Sequence, residues 1–109
     1  MFLKDNTLLE RNLTKEDIKP RILGHWGTDP GLILCYAHSN LLVKKHDLNA
    51  LFVTGPGHGA PAILSSLWLE SSLARFMPRY SLDKGGLHNL ISGFSTPGGF
   101  PRCASVFPL

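Results

Sequence analysis

Two histidines in this chain sit between glycines: His58 in Gly55-Pro56-Gly57-His58-Gly59 and His25 in Gly24-His25-Trp26-Gly27. An imidazole exchanges protons near neutral pH and can donate or accept hydrogen bonds. Flanking glycines let a ligand or a second stretch of backbone approach it closely. Residue types and spacing leave two readings for each loop. The His58 loop is either a ligand-binding turn or a tight connection whose histidine caps a carbonyl. In the other loop, either His25 meets a ligand or Trp26 packs on the core while His25 faces water. The His58 loop is neither a P-loop nor a dinucleotide fingerprint.

The remaining chemistry-bearing side chains have simpler readings. The five histidines show no HxxxH or HExxH spacing, and no CxxC knuckle is present, so no zinc site is expected. His38 reads as a packed or boundary residue of a helix, His46 as a helix-end residue and His88 as a solvated helical one. Asp17, Asp29 and Asp83 each stand where a helix cap is needed. Glu70 reads as a surface residue. Ser65-Ser66 and Ser71-Ser72 read as helix-surface residues, since no nucleophile elbow surrounds them. Cys35, within Leu32 to Ala37, reads as a small core residue.

The elements that must position these residues follow from breakers and periodicity. Residues 1–13 are polar, mixed and extended. Thr14 opens a short helix with Asp17 closing a capping box, and Pro20 ends it. Asp29 caps a long helix over residues 30–46, with Pro30 at its first position. Leu34, Ala37, Leu41 and Leu42 share one face of it, and Lys44, Lys45 and His46 complement its carbonyl end. Residues 50–54 form a buried strand. The glycine loop follows at once, and then a helix over 60–76 with Ile63, Leu64, Leu67, Trp68 and Ser71 along one side. A further helix runs from the cap Asp83 to about Ile91, although Gly85-Gly86 weakens it. Helix, strand, glycine loop and helix in that order is the local grammar of an α/β domain with a parallel sheet. One strand leaves that sheet incomplete. A ligand in such a fold binds at the carboxyl end of the strand, where the next helix offers free N–H groups.

Composition narrows the function classes. The chain has 109 residues, 43% of them hydrophobic and only 17% charged. Its mean hydropathy is slightly positive at +0.04. This fits one small domain with apolar surface left for a partner. The formal net charge is +3, but Lys and Arg are scattered instead of forming the stripe a nucleic-acid binder gathers. A mild positive balance suits an anionic small molecule such as a phosphate ester. The charged N-terminus lacks a signal-peptide core, and no apolar run approaches the ~18 residues of a membrane span. The expected compartment is the cytoplasm.

The segment Asp17-Ile18-Lys19-Pro20-Arg21-Ile22-Leu23-Gly24-His25-Trp26-Gly27-Thr28-Asp29-Pro30-Gly31 resembles the region around the GHWGT motif of phosphoketolases. Tyr36-Ala37-His38, Asp47-Leu48-Asn49, Gly55 to Ala62 and Phe94 to Pro101 continue the likeness in the same order. It covers nearly everything from residue 4 to residue 101. The resemblance implies an α/β fold, a partial transketolase-like thiamine-diphosphate-binding domain. It divides the chain into an extended segment 1–13, a partial N-terminal domain 14–101 and a divergent tail 102–109. Phosphoketolases are aldehyde-lyases of carbohydrate metabolism. They cleave xylulose 5-phosphate, and often fructose 6-phosphate, with inorganic phosphate to give acetyl phosphate. The resemblance implies thiamine diphosphate and Mg as cofactors. It makes His25 and His58 catalytic and cofactor-binding, with Gly57 and Gly59 flanking the cofactor as backbone. Family members form dimers, so a homodimer or higher assembly is implied for the full-length enzyme.

Departures from the family pattern temper this. Ala60 stands where the family more often has a glycine. The family's GDGE metal motif is absent from the chain, so no metal ligand is assigned. The expectation is therefore an enzyme fragment, inactive alone and marginally stable. The alternative is a non-catalytic binding or interaction module that keeps part of the scaffold.

Overall fold

The computed structural model describes residues 1–21, 27–55 and 57–100, together with the backbone of 105–108. Four helices and two strands are assigned among these residues: α1 (Asp29–His46), β1 (Leu51–Thr54), α2 (Ala60–Leu69), α3 (Ser72–Phe76), α4 (Lys84–Gly93) and β2 (Ser105–Pro108). The chain divides into two compact units. One comprises Met1–Gly24 with Leu67–Pro101, and the other His25–Ser66 with Arg102–Leu109. No helix among the described residues is long and apolar enough to cross a membrane.

The second unit carries the expected order of helix, strand, glycine loop and helix. The parallel sheet does not appear among the described residues. β1 pairs instead with β2 in an antiparallel ladder, Leu51 opposite Pro108 and Thr54 opposite Ser105. A parallel neighbour would have to return in the direction of β1 after a crossover. The partner here runs the other way, and it comes from the tail. Val106 and Phe107 have the branched and aromatic character that strands favour.

The inward face of α1 differs from expectation. Tyr36 is its buried residue, 4% exposed, and its ring meets that of Phe52 on β1 edge-on at 5.7 Å. Leu34 and Leu41 lie roughly 160° and 140° round the helix from Tyr36 at 100° per residue, and both are exposed. Leu42, Ala37 and Cys35 are exposed as well. The apolar stripe visible in the sequence thus faces outward, and so does the cysteine read as a core residue.

The first unit joins the N-terminal segment to residues 67–101. Leu3 forms an isolated antiparallel bridge with Ile18, with Lys4 N–H donating to Asp17 O and Lys19 N–H to Phe2 O, both at 2.9 Å. Thr14 and Asp17 form the expected cap around a single 3-10 turn, Lys15–Asp17, shorter than the helix expected there. The single helix expected over 60–76 is broken. Ser71 is left-handed (φ 62°) and separates α2 from α3. In the part of α2 that belongs to the second unit, the Ser65 and Ser66 hydroxyls donate back to the carbonyls of Pro61 and Ala62 at 2.6 and 3.0 Å, a habit that weakens helices. The Trp68 indole, donating to Ser81 O at 3.0 Å, then fixes the chain past the break. Asp83 caps α4 as expected, accepting from Gly86 N–H at 2.7 Å. Gly86 fits there because a side chain would run into the backbone of Ser81.

Candidate functional site

The loop bearing His58 is set by the elements on either side of it. β1 ends at Thr54, which is 0% exposed. Gly57–Gly59 make one 3-10 turn and lead directly into α2 at Ala60. This places a half-buried imidazole between the carboxyl end of a strand and the start of a helix. Gly55 and Gly59 serve different ends. A Cβ on Gly55 would meet nothing within 4 Å. A Cβ on Gly59 would collide with Leu32 Cδ1 and stand 3.1 Å from Thr28 Oγ1. Gly59 is therefore small so that the first turn of α1 can close onto the loop. Gly57 is half-buried, and Pro56 lies outside the described residues.

That first turn begins one residue earlier than the sequence suggested. Thr28 is the N-cap, with helical angles (φ −84°, ψ −11°) and no side-chain cap hydrogen bond. Asp29 is the first helical residue and Pro30 the second. The Asp29 carboxylate turns towards the glycine loop, its Oδ1 3.8 Å from the position a Gly59 Cβ would take. Oδ1 is buried and has no hydrogen-bond partner among the described residues. Burial pushes the Asp29 carboxyl above its ordinary value, and the nearby charge of His58 pulls it back. The hydroxyl of Thr54 is likewise buried and unpartnered among the described residues. The second unit thus holds a half-buried imidazole in the glycine loop and, on the turn that faces Gly59, a carboxyl with one oxygen removed from water.

His25, with Gly24 and Trp26, lies outside the described residues. Among the described residues no group of three or more His, Cys, Asp or Glu side chains is placed to hold a metal ion. His38 is exposed and donates through Nδ1 to Leu34 O at 2.9 Å, and His46 ends α1 in solvent. His88 is not simply solvated: its Nδ1 meets the hydroxyl of buried Thr7 at 2.9 Å.

Sequence reasoning missed two ionisable side chains. Asp29 was accounted for as a cap. The one signal of its other neighbour was the glycine at 59, which marks a close approach. Lys19 carried no signal. It is 7% exposed, and its ammonium donates to Ile91 O in the last turn of α4 and to Phe94 O at its C-cap. Burial lowers it to about 8.

A family profile described as the XFP N-terminal domain matches residues 1–107. The chain belongs to the XFP N-terminal domain family. Over 101 residues it is 58% identical to a probable phosphoketolase of Schizosaccharomyces pombe, covering 93% of this chain and 12% of that protein. Over the same length it is 52% identical to a probable phosphoketolase of Nitrosospira multiformis, with 12% of that protein covered. It is 48% identical to probable phosphoketolase 2 of Rhizobium meliloti, with 13% covered. This member of the XFP N-terminal domain family therefore spans about an eighth of the length of these relatives. The matched 1–107 includes both histidine loops and the first turn of α1.

Proposed function

We propose that the chain supplies part of a phosphoketolase active site, in which His58, and His25 with it, serve as proton-transferring and hydrogen-bonding groups beside thiamine diphosphate. The observation that carries this reading is the 58% identity to a probable phosphoketolase over 101 residues that include the His58 loop. The half-buried setting of His58 between strand and helix supports it. The polar groups present fit the polar edge of an organic cofactor: oxygens of Asp29 and Thr54 that are buried and unpartnered among the described residues, and an imidazole at His58. They do not make a magnesium site, for which the described residues offer no cluster. On this reading Gly57, His58 and Gly59 border the cofactor, and ligands for Mg come from elsewhere in a full-length enzyme. When bound, thiamine diphosphate supplies the carbanion-stabilising chemistry. The protein's part is to orient the sugar phosphate, keep out water and move protons at the imidazole nitrogens. The substrate class is a ketose phosphate, xylulose 5-phosphate or fructose 6-phosphate, with inorganic phosphate as acceptor. The 109 residues alone form no acetyl phosphate.

The test is a chimaera in which residues 1–101 replace the matching segment of the Schizosaccharomyces pombe relative. It is assayed for acetyl phosphate from xylulose 5-phosphate with phosphate, thiamine diphosphate and magnesium. The chimaera is expected to turn over, and His58→Ala within it to lose roughly 100-fold or more in kcat, as for loss of a general acid–base group. Unimpaired turnover by the His58→Ala chimaera overturns the assignment.

A further inference from the structure

We infer that the outer face of α1 is a docking surface for the rest of a phosphoketolase polypeptide, the part that its relatives have beyond the matched segment. The identity of the partner rests on the phosphoketolase reading, but the existence of the surface does not.

A helix at the surface of a globular unit turns an apolar stripe inward and polar residues outward. α1 departs from this pattern. Its inner side carries buried Tyr36 with half-buried Leu32 and Val43, three residues within about 40° of one another round the helix. Ser39 and Asn40, the uncharged polar residues of its middle, are half-buried as well. Ile33, Leu34, Cys35, Ala37, Leu41 and Leu42 are all exposed. Between residues 33 and 42 they share the exposed side with a single polar side chain, His38, whose Nδ1 is bonded to Leu34 O. Charge is confined to the two ends, with Asp29 in the first turn and Lys44, Lys45 and His46 in the last. Apolar on both sides and charged at its tips, α1 has the sequence of a helix buried between two layers. β1 supplies one layer, through the contact of Phe52 with Tyr36. Among the described residues nothing supplies the other.

Single exposed leucines need no partner, but a contiguous apolar patch marks an interaction surface. The proportion of the chain to its relatives indicates what covers this one. The 101 matched residues include α1 and make up 12% of the Schizosaccharomyces pombe protein. Most of that polypeptide therefore lies outside the match and is available to form the second layer. A second copy of this chain fits less well. An antiparallel pair of α1 helices that sets Leu34 of each copy against Leu41 of the other centres on Ala37 and His38. It would bury an imidazole from each copy, which is costly unless each finds a partner. A parallel pair would bring Lys44 and Lys45 of both copies together.

Cys35 precedes Leu42 by two helical turns and shares its side of α1, so its exposed thiol reports on the face without any substitution. The experiment follows alkylation of Cys35 by N-ethylmaleimide, located by peptide mass mapping, in the 109-residue chain and in the chimaera carrying residues 1–101. Cys35 is expected to react as a free thiol in the isolated chain and about 100-fold or more slowly in the chimaera, as for a site reached only by local opening. Equal rates in the two overturn the inference. Protection in the isolated chain that grows with its concentration also overturns it, and makes a second copy the occupant. The double variant Leu34→Gln/Leu41→Gln gives a reading independent of thiol chemistry. It is expected to leave the unfolding curve of the isolated chain unmoved and to lower the thermal midpoint of the chimaera by several degrees. An unmoved midpoint in the chimaera counts against the surface. The two proposals fail separately. An active chimaera with an unprotected Cys35 loses the docking surface and keeps the active-site reading. A protected Cys35 in a chimaera insensitive to His58→Ala does the reverse.

Discussion

The guanidinium of Arg11 grips the carboxylate of Asp17 with two parallel hydrogen bonds, Nη1 to Oδ2 at 2.8 Å and Nη2 to Oδ1 at 2.6 Å. Asp17 is 2% exposed, and its Oδ2 also accepts from the Thr14 N–H at 2.8 Å and the Thr14 hydroxyl at 3.0 Å. One carboxylate thus joins the 3-10 turn to the N-terminal segment. Hydrogen bonding from Arg11 comes first, and that from Thr14 next, in holding its pKa well below the usual carboxylate range.

A depressed folded value gives the sign of the pH dependence. The stability that Asp17 contributes is fully present above the unfolded carboxylate value of about 4 and is lost as pH falls below it towards the folded value. Urea unfolding of the chain between pH 6 and pH 2 is expected to show a falling midpoint over that range. Arg11→Ala lowers the midpoint at pH 6 and flattens the acid limb. An unchanged limb in Arg11→Ala excludes the ion pair as its source.

Lys19 gives the opposite limb. Its ammonium is buried against Ile91 O and Phe94 O, and desolvation lowers it from 10.5 to about 8. Between those values the unfolded chain keeps a proton that the folded chain has released, so stability rises with pH across that window. Unfolding midpoints at pH 7, 8, 9 and 10 are expected to climb above pH 8. Lys19→Met removes that slope. It also leaves two carbonyls without their donor, so its midpoint falls at pH 10. A climb that survives in Lys19→Met points to another group.

Short-range rules made much of this fold legible. Asp83 before Lys84-Gly85-Gly86, Thr14 with Asp17, and Ala50 to Thr54 running into a glycine loop each depend on neighbours within a few residues. Those elements are where the rules place them, but the strand expected to be buried exposes Leu51 and Val53 and buries only Thr54 fully. What stayed hidden depends on distant neighbours. Leu34 and Leu41 make a better apolar stripe than Tyr36 does. Which side of α1 turns inward, however, is decided by Phe52 on β1 and by Gly59, 16 and 23 residues beyond Tyr36 along the chain. Nothing around Ser71 announces a left-handed residue except a pair of serine doublets. The site shows the same split. The His58 loop was visible as a motif, while Asp29 beside it was masked by a plausible capping role.

The two close-packed glycines answer differently to a methyl group. At Gly59 the obstacle is Leu32 Cδ1, the end of a side chain that can rotate away. At Gly86 it is the backbone of Ser81, its carbonyl oxygen and nitrogen together. Gly59→Ala is expected to cost about 1–3 kcal/mol, the range for overpacking a site that can partly relax. Gly86→Ala is expected to cost more, because the Ser81 turn and the Asp83 cap must both move. Urea unfolding of the two variants ranks them directly, and Gly86→Ala as the milder change would show the turn to be adaptable.

The outward stripe of α1 yields the last prediction. Leu41 is 62% exposed and Leu34 59%, while Tyr36 on the same helix is 4% exposed. Leu34→Gln and Leu41→Gln remove no buried contact, so each is expected to change unfolding free energy by no more than about 0.5 kcal/mol. Tyr36→Ala empties the space against Phe52 and is expected to cost about 3–5 kcal/mol, in line with other buried aromatic truncations. The same apolar surface has a second consequence, since contiguous exposed leucines promote association between chains. Light scattering at rising concentration is therefore expected to fall for the double variant Leu34→Gln/Leu41→Gln relative to wild type, with its unfolding curve unmoved. A large loss of stability in the double variant would mean that the stripe is buried in solution. Tyr36 would then not be the residue that seats the helix.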